Sequence, residues 1–362
     1  MCVNPSPRQG WYTFPCGLNH QAFPQNFARG KSILFRKKFL ALCMTFAVAA
    51  SITACGSNSS NSADNKNAAN TGNGTKTETP AADTSTGFVP KELRVQFVPS
   101  QNAETLEAKT KPLATLLQDK LGIPVTVSVS TDYNTIVEAM ASKQIDIGFL
   151  PPNAYVQVHD NKKAGDLLLQ AQRYGVKDET GEPTEELVDF YKAEIVVMKD
   201  SPIKKLEDLK GKKMGWQDVT SSAGYVFPAA EMKKAGVDPD TDVQGVTIKG
   251  HDAAIMALLN GQVDAVAVFQ DARNNVKKDV PDVFEKTRIL HYTVGIPNDT
   301  VTVRSDMDNE WRTKIQQAFM DIVKDPEGGQ IIKDIYTHAG YTPGDDKNFE
   351  PVREYAKLVE GN

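Results

Sequence analysis

Read from the N-terminus, apolar and polar positions first alternate in Leu93-Arg94-Val95-Gln96-Phe97-Val98, which predicts a strand. The period then changes. In residues 109–121, Leu113, Leu116, Leu117 and Leu121 share one helical face, and Gly122 stands where a C-cap belongs. Residues 125–129 return to alternation and predict the next strand. Strands separated by helices of this length predict an α/β fold with a parallel sheet.

The same pattern then recurs. Tyr133-Asn-Thr-Ile-Val-Glu-Ala-Met-Ala-Ser-Lys-Gln-Ile-Asp146 resembles His251-Asp-Ala-Ala-Ile-Met-Ala-Leu-Leu-Asn-Gly-Gln-Val-Asp264, an offset of 118 residues from 133 to 251. Gln144 meets Gln262, Asp146 meets Asp264, and each block reads as an amphipathic helix, a polar turn and a buried strand (145–150 and 263–269). Helix-turn-strand units are common enough for chance to imitate such a match. Taken as a repeat, it predicts two related lobes. A ligand between them would face two helix N-termini, whose unpaired N–H groups and partial positive charge suit an anion. Residues 191–198 are expected to cross between the lobes and residues 289–303 to return, forming a hinge.

Upstream of Lys91 the pattern is different. Lys31, Arg36, Lys37 and Lys38 precede an apolar run at 39–50 and the segment Ile52-Thr53-Ala54-Cys55-Gly56. That is the order of a secretory signal, and its apolar run is short for a transmembrane helix. The last residues resemble a bacterial lipobox, which makes Cys55 the lipidated residue. A polar stretch at 56–87 cannot bury apolar surface and predicts a flexible tether. Residues 1–30 show no periodicity and are read as an upstream extension. The expected organisation is therefore extension 1–30, signal 31–54, lipidated cysteine and tether 55–90, first lobe 91–196, second lobe 197–294, and completion of the first lobe over 295–362.

Composition excludes several functions. A net charge of −5 argues against a nucleic-acid partner. All four cysteines fall at or before Cys55, so the folded part has neither disulfides nor thiolate metal ligands. The five histidines lack the paired spacing of a zinc-binding helix. With no phosphate-binding loop, dinucleotide fingerprint or nucleophile elbow either, no metal, cofactor or catalytic residue is expected.

Chemistry-bearing residues cluster at predicted element ends. Asp218-Val-Thr-Ser-Ser-Ala-Gly-Tyr225 runs from a strand into a helix, so Ser221 and Ser222 can donate to an oxyanion or serve as ordinary N-caps. A lone histidine is more often a core residue, but His251 opens a repeated helix, which raises it as a donor to an anion. Asp299, in Ile296-Pro-Asn-Asp-Thr300, is a turn aspartate or an acceptor. A carboxylate suits an anion only when the anion carries a proton. A P–OH donates to it in a charge-assisted bond, whereas sulfate at neutral pH has no proton to give and is repelled.

Taken together and in order, Thr131-Asp-Tyr-Asn134, Ile145-Asp-Ile-Gly-Phe-Leu-Pro-Pro-Asn-Ala-Tyr155, Lys199-Asp-Ser-Pro-Ile-Lys-Lys-Leu-Glu-Asp-Leu209, Thr220-Ser-Ser-Ala-Gly224, Gly250-His-Asp-Ala-Ala254 and Ile296-Pro-Asn-Asp299 resemble the phosphate/phosphite/phosphonate-binding proteins of ABC importers, over residues 91–350. The resemblance implies a two-lobed type II periplasmic-binding-protein fold, each lobe a sheet flanked by helices, joined by a two-strand hinge. It implies a small phosphorus oxyanion as ligand and an ABC permease and its ATPase as partners, while the lipidated cysteine and tether read above predict attachment to the outer face of the cell membrane. Ligand contacts carried over by motif fall on Tyr133, Tyr191, Ser221, Ser222, His251 and Asp299, with Tyr155 and Asp271 as two further candidates. Tyr155 is placed near the cleft by the repeat, and Asp271 falls where an aminoalkylphosphonate-binding relative meets its ligand's amine. Ala223 departs from the pattern, because several relatives carry a hydroxyl there. The Glu-rich segment 176–188 reads as an insertion without a role. Rival readings are a binding protein for phosphate or another small anion, and a thiamine-precursor-synthase-like enzyme on the same fold, which an export signal disfavours.

Overall fold

The structure, a computed structural model, describes residues 87–360 apart from Glu179. The 1–30 extension, the signal, Cys55 and the tether as far as residue 86 lie outside the described residues.

The chain runs β1 (Leu93–Phe97), α1 (Ala103–Leu121), β2 (Val125–Val129), α2 (Tyr133–Ala141), β3 (Ile147–Leu150), α3 (Pro152–Val156), β4 (Gly165–Val176), β5 (Pro183–Val188) and β6 (Phe190–Tyr191). It continues through β7 (Ala193–Met198), β8 (Lys213–Trp216), α4 (Phe227–Lys234), β9 (Gln244–Thr247), α5 (His251–Leu259), β10 (Ala265–Phe269), α6 (Val283–Lys286) and β11 (Thr287–Tyr292). It ends with β12 (Ile296–Pro297), β13 (Thr300–Arg304), α7 (Asn309–Lys324), α8 (Pro326–Tyr336), β14 (Gly340–Pro343) and α9 (Glu350–Glu360). One sheet has the order β14-β4-β13-β3-β1-β2, with β5 on β4; a second has β11-β7-β10-β8-β9; β6 and β12 pair separately. Each sheet, with its helices, is one lobe.

Both sheets are mixed, not purely parallel as the alternation suggested. β2, β1 and β3 are parallel, but β13 runs antiparallel to β3 on one side and to β4 on the other. β9, β8 and β10 are parallel, but β7 is antiparallel to β10 and to β11. The antiparallel strands are the ones by which the chain passes between lobes. β7 pairs along its whole length within the second sheet, so the chain changes sheet before Ala193 and not at 196/197. The expected continuous strand over 191–198 is broken at Lys192 into a hinge pair, Tyr191 with Ile296 and Phe190 with Pro297, and the second sheet's own β7.

The repeat is structural. Asp146 N–H donates to Arg94 O at 2.9 Å and its carboxylate accepts from Arg94 N–H at 2.9 Å. Asp264 does the same with Lys213, at 2.9 and 2.8 Å. Each aspartate thus pins the turn after its helix to a central strand of its lobe, β1 in the first and β8 in the second. The preceding turns match as well: Lys143 and Gly261 both sit at positive φ, 58° and 66°. Gly122, as its sequence suggested, caps α1 in the left-handed region at φ 70°.

The first lobe's core is aromatic. Phe97 stacks on Phe149 at 4.1 Å between centroids, and Tyr336 and Phe319 meet them edge-on. Burying each such ring stabilises the fold by roughly 1.5–3 kcal/mol. The segment expected to be an inert insertion extends β4 into a hairpin with β5. Its turn residue Asp178 pairs with Lys192 at 2.5 Å, accepts from Gln270 Nε2 at 2.9 Å, and offers its carbonyl to the Tyr292 hydroxyl at 2.8 Å. The arm therefore reaches from the first sheet to the hinge and the second lobe.

Candidate functional site

The lobes touch directly. Asn153 N–H donates to Ser222 Oγ at 2.9 Å, Asn153 Nδ2 to Thr220 O at 3.1 Å, and Thr220 Oγ1 to Asn134 Oδ1 at 3.0 Å. Lys249 Nζ reaches Thr131 O at 3.1 Å. The first amides of the repeated helices are spent on this seam. His251 N–H donates to Ser100 O at 3.0 Å and Tyr133 N–H to Asp218 Oδ2 at 3.4 Å. Those two amides close the lobes on each other and do not face a guest, contrary to the expectation from the repeat.

Inside the seam lies a cavity of about 50 Å³, room for a few water-sized groups. Among its walls are Tyr133, Tyr191, Ser221, His251 and Asp299, five of the six residues carried over by motif. Each comes from a different element end: α2, the hinge strand β6, the cradle before α4, α5, and the turn before β13. The sixth, Ser222, is fully buried behind that wall. Its oxygen accepts Asn153 N–H, and it neighbours the Tyr191 hydroxyl. Ser221 lines the cavity and has one of the two roles weighed from sequence, capping the helical turn by accepting from Gly224 N–H at 3.1 Å. Gly224 is required for this cradle, because a Cβ there would lie 2.2 Å from Gln217 Cβ.

The two further candidates are placed elsewhere. Tyr155 is fully buried, and its hydroxyl donates to Asp346 Oδ1 at 2.6 Å, in a cluster with Arg353 outside the cavity wall. The short helix α3 turns this side chain towards the C-terminal helices. Asp271 also stands off the cavity, in a left-handed turn at φ 62°. Burial pushes its carboxyl up to about 6, against the pull of Arg173 and Arg273.

Sequence reasoning missed Arg173 and His338. Arg173, on β4, lines the cavity, lies over the Tyr191 ring at 4.7 Å, and holds its Nη2 3.6 Å from Asp299 Oδ2. His338 is buried with Nε2 3.3 Å from the same carboxylate oxygen and Nδ1 3.3 Å from the Tyr341 hydroxyl. Since a carboxylate only accepts, Nε2 carries the proton and Nδ1 accepts from Tyr341. Burial lowers the His338 pKa, which keeps the ring neutral and fixes this orientation. The turn itself is fastened to β4, because Asp299 O accepts Ala171 N–H at 2.9 Å.

The electrostatics favour donors. Burial, with the Asp299 charge adding to it, raises the Tyr133 and Tyr191 hydroxyls, so both stay protonated. Burial depresses His251 to about 4 although Asp299 pulls it up, so the ring is neutral. Two buried nitrogens of cavity-lining residues, Arg173 Nε and His251 Nδ1, have no hydrogen-bond partner. A third orphan, Gln217 Nε2, lies on a residue beside the Tyr133 hydroxyl. The arrangement is thus a small enclosed space ringed by hydroxyl and nitrogen donors, with one carboxylate as acceptor. Among the described residues there is no cluster of His, Cys, Asp and Glu able to hold a metal ion, and no helix long and apolar enough to cross a membrane.

Comparison with known proteins places these features in context. Residues 95–349 match the family described as the periplasmic substrate-binding protein of the phosphonate ABC transporter. The chain is 23% identical over 274 residues to the phosphonates-binding periplasmic protein of Escherichia coli, covering 75% of this chain and 77% of that one. It is 28% identical over 211 residues to a phosphate-import protein of Mycolicibacterium smegmatis, covering 56% of this chain and 63% of that one. Among solved structures, a Pseudomonas aeruginosa binding component of an ABC phosphonate transporter superposes with a TM-score of 0.64 at 19% identity, over 74% of this chain and 86% of that one. A Prochlorococcus marinus protein in complex with methylphosphonate gives 0.61 at 18% identity, over 76% and 100%. At these identities the structural likeness establishes a shared two-lobed α/β fold.

Proposed function

The chain belongs to the periplasmic substrate-binding proteins of phosphonate ABC transporters, and on that premise we propose that it captures a small, proton-bearing phosphorus oxyanion between its lobes. The observation that carries this reading is the cavity itself. Two residues with buried, unpartnered nitrogens, Arg173 and His251, line a space of about 50 Å³ beside one acceptor carboxylate. A buried donor left unpaired costs roughly 1–3 kcal/mol, so such a ring is accounted for by a guest rich in acceptor oxygens.

In this reading Tyr133, Tyr191, Ser221 and His251 donate to the oxyanion, and Asp299, oriented by His338, accepts its P–OH. Ser222 acts behind them by holding Asn153 across the seam. The protein performs no chemistry; binding to both lobes favours the closed state, which the permease and its ATPase recognise. The periplasmic-binding-protein fold suits that role because its two lobes hinge through two crossings. Lipidation at Cys55 and the tether that follows would hold the protein at the outer face of the membrane.

The test is a titration panel of methylphosphonate, phosphite, phosphate and sulfate, read by calorimetry and by the rise in melting temperature on binding. The phosphorus oxyanions are expected to bind and sulfate to fail; sulfate binding with equal affinity refutes the role of Asp299. A Cys55→Ala chain should lose incorporated fatty acid and leave the membrane fraction; retention of both refutes the anchor.

A further inference from the structure

Arg173 is the least explained polar residue of the cavity. It is 92% buried, at 8% relative exposure, and faces the guest space. Its guanidinium makes no hydrogen bond among the described residues, and Nε is shut off from solvent without a partner. A guanidinium has five N–H donors and cannot shed its charge, so burying it unbonded is costly. The nearest counter-charge is Asp299, at 3.6 Å, beyond hydrogen-bonding reach. The Tyr191 ring beneath it, at 4.7 Å, holds the plane in place. A held, unbonded cation beside an anion cavity is a preformed ligand contact.

Arg173 also changes which anion fits. With Asp299 alone, the cavity would carry one negative charge and repel a dianion. Arg173 cancels it. Two demands then fall on the guest: a P–OH for Asp299, and charged oxygens for Arg173. We infer that Arg173 contacts the ligand and sets the cleft for an oxyanion that keeps one P–OH while carrying two charges, the form HPO4²⁻ of inorganic phosphate. Phosphonate and phosphite dianions have no P–OH left and meet Asp299 unprotected. This inference rests on the cleft reading above and narrows its ligand class.

Other titrating groups surround Arg173. Asp299 and His338 face it from the turn before β13 and the segment after α8, and Tyr191 lies beneath it on β6. Tyr133 and His251 share its cavity from α2 and α5. Asp271, from the turn after β10, ionises near 6, and behind it Glu194 ionises near 8 because of burial. On the groove outside lie Glu186 and the Asp178–Lys192 pair. Ionisation of Asp271 and Glu194 opposes a dianion more than a monoanion, so it works against a rise in the ratio and cannot produce one.

The experiment therefore measures the ratio of the methylphosphonate Kd to the phosphate Kd from about pH 6 to about pH 9, by calorimetry at fixed ionic strength. Over that range phosphate becomes HPO4²⁻, which keeps a P–OH, and methylphosphonate becomes a dianion without one. In the native chain the ratio is expected to rise about tenfold or more. In Arg173→Gln it should stay flat, since phosphate then weakens with its second charge as methylphosphonate does; Arg173→Lys should restore part of the rise. Circular dichroism checks that the variants fold, and Arg173→Lys is compared with the native chain if Arg173→Gln does not. A flat native ratio, or an unchanged rise in Arg173→Gln, overturns the assignment and leaves the cleft reading standing. Failure of phosphate, phosphite and methylphosphonate to bind at any pH overturns both.

Discussion

Replacing Asp299 by Asn isolates the acceptor role from the packing. The amide has nearly the same shape, and its oxygen can still accept from His338 Nε2, 3.3 Å away, so the turn before β13 should persist. What is lost is a charged acceptor for the ligand's P–OH. A hydrogen bond to a charged group contributes about 1.5–3 kcal/mol, and each 1.4 kcal/mol is tenfold in affinity. The methylphosphonate Kd at neutral pH should therefore rise about 10- to 100-fold. Sulfate should respond in the opposite direction, because the carboxylate that repelled it is gone while Arg173, previously 3.6 Å from that carboxylate, is left uncompensated. Calorimetry with both anions on both proteins, at constant ionic strength, reads the two changes directly. A melting curve without ligand checks that the fold is intact. The reasoning fails if methylphosphonate affinity is unchanged, or if both anions weaken equally, since the second outcome means a distorted site.

Two further perturbations probe the seam and the buried imidazole. Ser222→Ala leaves Asn153 N–H without its interlobe acceptor at 2.9 Å; a cost of about 1–3 kcal/mol should weaken ligand binding about tenfold and enlarge the ligand-free particle in small-angle scattering, and an unchanged radius with unchanged Kd refutes a role in closure. His251 has a folded pKa near 4, below its ordinary 6.5, so the stability tied to its neutral form is present above about 6.5 and is lost as pH falls through 4. That loss is on the order of 3 kcal/mol. His251→Gln should flatten the urea-unfolding profile over this window; Glu194, raised to about 8, slopes the other way between 4.5 and 8 but is common to both proteins. Parallel profiles for native chain and variant contradict a buried neutral ring.

The residues that were legible in the sequence are those whose neighbours announce their position. A change of period marks α1, and Gly122 marks its end, because both follow from local backbone geometry. The repeat exposed Tyr133 and His251 because equivalent turns are pinned by equivalent aspartates, Asp146 and Asp264. Arg173 was illegible for the opposite reason. It stands in an extended stretch between Gln172 and Tyr174, where period-two alternation says nothing about which polar side chain turns inward. His338 follows α8, and only the pairing of β14 with β4 brings it to Asp299. Tyr155 was drawn towards the cleft by analogy along the repeat, yet α3 aims it at Asp346. The point at which the chain changes sheet was misplaced because residues 193–198 are apolar enough for either core; their antiparallel pairing with β10 and β11 decides the matter.

In the proposed reading, two of the ligand contacts ride on the pivot itself. Tyr191 belongs to the two-residue strand that pairs with Ile296 and Pro297, and Asp299 stands two residues beyond that pair. Bending the pivot to part the lobes therefore drags two jaws of the clamp with it, so unlatching and letting go are a single movement. A transporter that levers this stretch need not reach into the crevice to eject the cargo.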